Sequence, residues 1–401
     1  MTSYSDYSLD AERRPVIIAA KRTPISRANG LLKDISAEDL LSSLLIEVTQ
    51  TSGFKTSDID DVIIGNAAGG GGNVARLAAL KAGLDIHVPG LTIDRQCGGG
   101  LEAINLACRM VMSGAGQLYL AGGVESVSTA PKRAKKISSS TDDLEFYDRA
   151  RFSPDSIGDP DMGVAAENVA TKYKISRKRQ DEFALQSHQR AINAQNLQKF
   201  DDEIVPIKVG NISYHEDECP RVDTSLDRLA SLPAKFVDGG SVTAGNSCPL
   251  NDGAAMVVVT SLAKAQQLGA GRAIEFIDGC ARGVDPNYLG IGPIASTKHL
   301  LARQSDISVD DCQFVEFNEA FASQVLASID GLGITSDRLN KDGGALALGH
   351  PFGASGAILV VRLFSQMLNE NNFKSDAVSL ATLGTGGGMG VSTIFRSKKV
   401  N

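Results

Sequence analysis

A chain of 401 residues is too long for one compact core and implies two or three domains with plenty of buried surface. A net charge of -7 without a long Lys/Arg block argues against nucleic-acid or anionic-membrane partners, and no apolar run approaches the roughly 20 residues of a membrane helix. Six scattered cysteines, no CxxC pair and no apolar leader point to a soluble protein of a reducing cytoplasm without a metal site.

Residues 1–13 are polar and read as a frayed tail. "PVIIAA" follows as a buried strand, and "DISAEDLLSSLLIEVTQ" as a helix behind a Ser36 cap. Strands and helices then alternate: "DIDDVIIG", "VARLAALKAGL", "GLTIDRQ", "GLEAINLACRMVMSG", "QLYLAGG". Such alternation predicts a largely parallel sheet. "PKRAKK" at 131–136 reads as a solvated loop, and residues 131–250, with the helical "AAENVATKYKISRKRQDEFALQSHQRAINAQ", as an insertion able to cover a site.

After residue 274 the same grammar returns in "AIEFIDGCARG", "ASTKHLLARQ", "SVDDCQFVEFNEAF", "ASGAILVVRLFSQML" and "DAVSLATLG". "DIDDVIIGNAAGG" resembles "SVDDCQFVEFNEAFA", and a glycine-rich turn precedes an apolar helix in both "CGGGLEAINLA" and "GASGAILVVRL". The pattern is an internal duplication, far longer than a solenoid repeat. It divides the chain into an N-terminal α/β half (14–130, completed by about 251–273), a loop domain (131–250) and a C-terminal half (274–398).

Near the end, "LATLGTGGGMGVSTIF" places five glycines in positions 384–390. A phosphate cradle would open into a helix, whereas "VSTIF" continues as a strand, and Met389 sits where GxGxxG needs its last small residue. The plain reading is a tight strand-to-strand turn. "VIIGNAAGGGGNVARLAALKAG" holds Gly70, Gly72 and Ala75 at the GxGxxA spacing of a dinucleotide site, a pattern that four consecutive glycines also match by chance.

Cys97, in "DRQCGGGLEAI", lies at a strand–helix junction, where the helix dipole favours a thiolate and the three glycines leave space for a substrate. It reads as a nucleophile, against the ordinary fate of a free cysteine, which is packing. Cys108 shares a helix face with Leu101, Ile104, Val111 and Met112 and reads as core; Cys280 and Cys312 lie in or beside strands; the carboxylates around Cys219 disfavour a thiolate. His350, among glycines and before Pro351, projects from an irregular turn and reads as a base; the other four histidines sit in loops or polar helices. Asn318 and Glu319 stand at a strand end, where functional groups gather in α/β sheets.

These stretches, with "GGVESVSTAP", "MGVAAENVA", "SVTAGNSCPLNDGAA", "GVDPNYLGIGP" and "GGALALGHPFGASG" in order, resemble the thiolase family from about residue 14 to residue 397. The resemblance implies a thiolase fold, with two duplicated α/β halves packed as five layers (αβαβα) and an inserted loop domain. It also implies acyl-CoA and CoA as substrates, no permanently bound cofactor, and a homodimer or homotetramer. Cys97 would take the acyl group and His350 activate it; Asn318 would hold a water that helps stabilise the thioester enolate, and the N–H groups of Cys97 and Gly386 would receive the oxyanion. Met162, Ala244 and Phe321 match positions lining the pantetheine and acyl slot, with Ser247 close by, and Arg221 resembles a residue near the nucleotide end of CoA.

The chain also departs from the family. Gly384 stands where thiolases usually carry the second cysteine of CxGGGxG, which moves the α-proton; Cys248 stands where they have serine in the pantetheine slot; and "CGGG" replaces CxSG. Thr385 is far too weak an acid to substitute. The expected function is formation or cleavage of a 3-oxoacyl-CoA through an acyl-cysteine, with activity lowered at Gly384. The alternatives are a thiolase-like acyltransferase that acylates Cys97 without Claisen chemistry and a non-catalytic acyl-CoA-binding homologue.

Overall fold

The computed structural model describes residues 10–139, 142–304, 306–369 and 373–400, so most of the expected N-terminal tail lies outside the described residues. The chain opens with β1 (Pro15–Arg22), β2 (Ser26–Arg27), α1 (Ala37–Thr51), β3 (Asp61–Gly65), α2 (Val74–Lys81), β4 (Leu91–Ile93), α3 (Gly99–Ser113) and β5 (Leu118–Ser126). The Ser36 side chain accepts the Asp39 N–H and caps α1, whose Leu40, Leu41, Leu44, Leu45 and Val48 form one buried face.

The next stretch holds β6 (Arg133–Lys136), β7 (Leu144–Tyr147), α4 (Met162–Lys172), α5 (Arg177–Asn196), β8 (Ile207–Val209), β9 (Ile212–Tyr214) and α6 (Leu226–Ser231). The "PKRAKK" segment is not a free loop: its last four residues form β6, paired antiparallel with β7 in a two-stranded ribbon. The long helical stretch divides in two, because Lys174 adopts φ 55° and Ser176 starts α5 by accepting the Arg179 N–H.

The chain continues through β10 (Asn251–Ser261), α7 (Leu262–Gln267), β11 (Arg272–Gly283), α8 (Gly292–Arg303), β12 (Cys312–Phe317), α9 (Ala322–Leu332), α10 (Ala345–Leu348), α11 (Phe352–Leu368), β13 (Val378–Thr385) and β14 (Met389–Lys399). The strands order as β4-β3-β5-β10-β1-β11-β14-β13-β12, with β2 on β10. Among the described residues, only β3–β4, β3–β5 and β12–β13 are parallel strand pairs of this sheet; its other pairs are antiparallel, which corrects the expectation of a largely parallel sheet. The reason is that β10 and β14 run back against their neighbours on both sides, and the halves join through β1 and β11 at Val16↔Glu275 and Ile17↔Ile274. The order β3-β5-β10-β1 repeats as β12-β13-β14-β11, so the duplication read in the sequence is a duplication of topology.

Five layers result. α1 and α2 cover the outer face of the first set of strands, α8 and α9 that of the second, and α3 and α11 lie between the two sets. β10 is buried along its whole length: Ala255, Val257 and Val259 face the central helices, while Ala254, Met256 and Val258 face the outer layer. Burial on both faces turns a strand into a continuous apolar run.

Candidate active site

Cys97 sits on a sharp turn between β4 and α3. The Asp94 carboxylate accepts the Gln96 N–H at 2.7 Å, Gln96 is held at φ 50°, and the N–H groups of Gly98 and Gly99 close back onto the carbonyls of Arg95 and Gln96. A non-glycine residue in the left-handed region costs energy that its surroundings must supply, and such positions concentrate at functional turns. The following glycines do not leave space for a substrate, as the sequence suggested; the protein itself fills it. A Cβ on Gly98 would stand 2.8 Å from Thr385 Cγ2, one on Gly99 3.0 Å from Gly65 Cα, and one on Gly100 2.7 Å from the Gly353 carbonyl.

Burial, with the charges of Glu125 and Asp94, pushes the Cys97 thiol up to about 12, although the N–H groups of Cys97 and Gly386 face the sulfur and favour its thiolate. The resting group is therefore a thiol, whose ionisation would need a base.

His350 follows Gly349, which takes φ 114°, and precedes the first turn of α11. Its N–H donates to Asn251 Oδ1 at 2.8 Å, and its Nδ1 lies 2.6 Å from Ser355 Oγ. The Ser355 hydroxyl donates to the Pro351 carbonyl at 3.2 Å, so its oxygen accepts the Nδ1–H. That assignment leaves Nε2 as the bare nitrogen. Burial pushes His350 down to about 4, so the ring is neutral at neutral pH. The Gly100–Gly353 approach joins the starts of α3 and α11, three residues after Cys97 and three after His350.

Asn318 ends β12. Its N–H is bonded to the Thr382 carbonyl at 3.1 Å, and its buried Nδ2 has no hydrogen-bond partner among the described residues. Glu319 is structural: its carboxylate receives Ser187 Oγ, Asn340 Nδ2 and the Leu346 N–H. The glycine-rich stretch is a hairpin turn between β13 and β14, with Gly384 opposite Gly390 and Thr385 opposite Met389. Gly387 and Gly388 take φ 81° and 73°, where a side chain would strain the backbone, whereas Gly384 does not. Phe152, from the segment between the halves, lies over Gly386: a Cβ there would be 2.9 Å from its ring.

The expected slot residues fall into a group and an outlier. Ser247 bridges to Phe321, and the Cys248 N–H donates to the Ala320 carbonyl at 2.9 Å. The Phe321 ring meets Phe236 edge-on at 6.1 Å, and Phe236 occupies the space beside Gly163, the neighbour of Met162 at the start of α4. Ala244 is exposed on the same segment as Ser247, whose hydroxyl is spent on the Thr243 carbonyl. Arg221 stands apart: no hydrogen bond, ion pair or ring contact among the described residues joins it to the others, and its N–H is held by His188 Nδ1 at 3.2 Å. His188 thus has a defined setting that the sequence did not suggest. A cleft of about 1080 Å³ lined by Lys21, Phe314, Lys341 and Phe364 contains none of these groups.

The dinucleotide pattern at Gly70, Gly72 and Ala75 does not form an anion seat. Glu125 accepts the N–H groups of Ala67 and Ala68, together with those of Asn66 Nδ2 and Gly353, so a protein carboxylate already uses the turn's donors. Sequence reading also missed Ser355, Asn251 and Gln324. The serine of "GASG" gives no local signal of orienting a ring, and Asn251 and Gln324 are brought to their places only by tertiary packing.

Comparison with known proteins is consistent along the whole chain. Residues 15–263 match the family model for the thiolase N-terminal domain and residues 271–397 that for the thiolase C-terminal domain. A Staphylococcus epidermidis protein named "Putative acetyl-CoA C-acetyltransferase VraB" is 46% identical over 385 residues, covering 96% of this chain and 98% of its own. Its namesake in Staphylococcus aureus strain MW2 is 43% identical over 384 residues, covering 95% and 98%. The crystal structure of the Bacillus anthracis acetyl-CoA acetyltransferase superposes with a TM-score of 0.90 at 36% identity, covering 96% of this chain and 99% of that one.

Proposed function

Because the chain belongs to the thiolase family, we propose that it is an acyl-CoA:acetyl-CoA C-acyltransferase working through an acyl-cysteine at Cys97. What supports this reading is Cys97 on its strained turn at the start of α3, a buried neutral His350 across the Gly100–Gly353 contact, and the Cys97 and Gly386 N–H groups, which favour the thiolate. His350 Nε2 takes the thiol proton; the sulfur attacks the acyl carbon, whose oxygen turns to those two donors; the CoA thiolate leaves and recovers the proton from His350. The unpaired Nδ2 of Asn318 suits a bound water, the role expected of it at the thioester enolate. Met162, Ala244, Ser247, Cys248 and Phe321 would line the pantetheine path, with Arg221 further out at the nucleotide.

Acyl-CoA and CoA would be substrates, with nothing held permanently. The six free cysteines suit a reducing cytoplasm, and among the described residues no helix is long and apolar enough to cross a membrane. Leu77, Leu80, Ile86 and Leu91, each exposed on or between α2 and β4, suit a homodimer or a homotetramer. The absence of a side chain at Gly384 favours one second reading, acyl transfer without carbon–carbon chemistry.

Incubation with acetyl-CoA followed by peptide mass mapping should place the acyl group on Cys97. Consumption of a 3-oxoacyl-CoA plus CoA, with release of acetyl-CoA, separates the two readings. A label elsewhere would overturn both.

A further inference from the structure

A carbon–carbon step needs a group that moves a proton at the α-carbon, and the place at Gly384 offers none. A Cβ there would stand 2.8 Å from Gln324 Nε2, 3.3 Å from the Gly290 carbonyl and 3.4 Å from the Leu289 carbonyl. A carboxamide and two carbonyls close over the position, and none of them titrates. The nearby carboxylates are occupied: Glu125 by four N–H donors and Glu319 by three donors. Glu316 is buried on β12 and senses Arg362, Asp342 and Glu319 rather than Cys97.

One thiol remains. Residues 247–251 form a strap across the site. Ser247 pairs with Phe321, the Cys248 N–H donates to Ala320, Leu250 pairs with His350, and Asn251 Oδ1 accepts the His350 N–H. Cys248 is thereby fixed between the end of β12, which carries Asn318, and the turn that carries His350. It is partly exposed rather than sealed in the core. Close enough to act on it electrostatically are Cys97, Cys219, whose sulfur accepts Asn251 Nδ2, and the bonded Glu319.

Building on the acyl-cysteine reading, we propose that Cys248 is the acid and base at the α-carbon. In cleavage, the Cys97 thiolate, its proton on His350, attacks the 3-oxo carbon, and the bond between C2 and C3 breaks. The Cys248 thiol gives its proton to C2, releasing acetyl-CoA and leaving a thiolate. The incoming CoA thiol passes its proton to Cys248, and its sulfur attacks the acyl-cysteine. Cys97 leaves as a thiolate and recovers its proton from His350. Each group is restored, and the proton brought by CoA ends on the acetyl methyl. Burial raises the Cys248 thiol, and so does the neighbouring Cys97 charge.

The test is deuterium uptake at the acetyl-CoA methyl in heavy water, read by mass spectrometry beside the Cys97 label, on natural enzyme and on Cys248→Ser, Cys248→Ala and Glu316→Gln. The expected result is that Cys97 still becomes labelled in every variant, while exchange and thiolysis fall by roughly 10² to 10⁴ relative to that labelling in both Cys248 variants, the usual worth of a positioned acid–base group. Serine matches the size of cysteine, so its failure would reflect the lost thiol rather than lost packing. Exchange at the natural rate in Cys248→Ser, or a loss confined to Glu316→Gln, would overturn the proposal. An unlabelled Cys97 in the natural protein would overturn the acyl-cysteine reading, and this one with it.

Discussion

At the scale of single residues, burial sets the protonation states. His350 and His188 are both held down to about 4, against about 6.5 for a free imidazole. On the acyl-cysteine reading, Nε2 would stay a proton acceptor through the mildly acidic range, and the acid limb of the Cys97 acylation rate should fall near pH 4 rather than near pH 6.5. Stopped-flow bursts after a pH jump would show it, and a limb at pH 6.5 would mean that His350 is not so buried when substrate is bound. For stability the sign is the opposite of a salt-bridged histidine. The unfolded chain takes up protons as pH falls below about 6.5 while the native rings stay neutral, so stability is full above that pH and declines from about 6.5 to 4. Thermal melts should drop over this window, less steeply in His188→Gln. The Gly386 donor, by contrast, is main chain: no side-chain scan can delete it, and only a proline or a backbone ester at that position would.

At the scale of elements, the glycines of α3 are packing devices. An alanine at 100 gains about 1 kcal/mol of helix propensity but presses a methyl against the Gly353 carbonyl and the Ala357 N–H nitrogen at 2.7 and 2.9 Å, main chain that moves only with α11. Overpacking of this kind costs about 1–3 kcal/mol, so Gly100→Ala should be less stable in urea and slower in acylation. Gly271→Ala, which meets nothing within 4 Å, should be neutral. These packing roles mark what the sequence could and could not convey. The Ser36 cap, the placement of Cys97 at a strand–helix junction, the irregular turn at His350 and the hairpin at 384–390 are local, written in glycine, proline and the period of apolar residues. The sense of the strands, the packing of Gly98 to Gly100, the Glu125 carboxylate in the would-be anion seat and the strap at 247–251 depend on residues distant in sequence. A pattern of alternating strands and helices cannot report that β10 and β14 return antiparallel.

At the scale of the whole molecule, three stretches of chain meet in one buried ionic cluster. Arg22, from β1, binds Glu203 at 2.7 Å and Asp217 at 2.7 Å; Arg362, from α11, binds the same Glu203 and also Asp342, which Lys199 joins at 2.7 Å. Arg22 is 0% exposed, so Arg22→Ala would strand two carboxylates and should cost about 3–5 kcal/mol, measured by urea unfolding. A loss under 1 kcal/mol would mean that water enters the cluster. The members come from positions 22, 199 to 217 and 342 to 362, so the cluster closes only after segments nearly the full chain apart have found one another. Contacts of such separation form late. During refolding, helical signal should therefore return well before the ability to acylate Cys97, and a protease added in that interval should cut between residues 131 and 250 while each half already resists it.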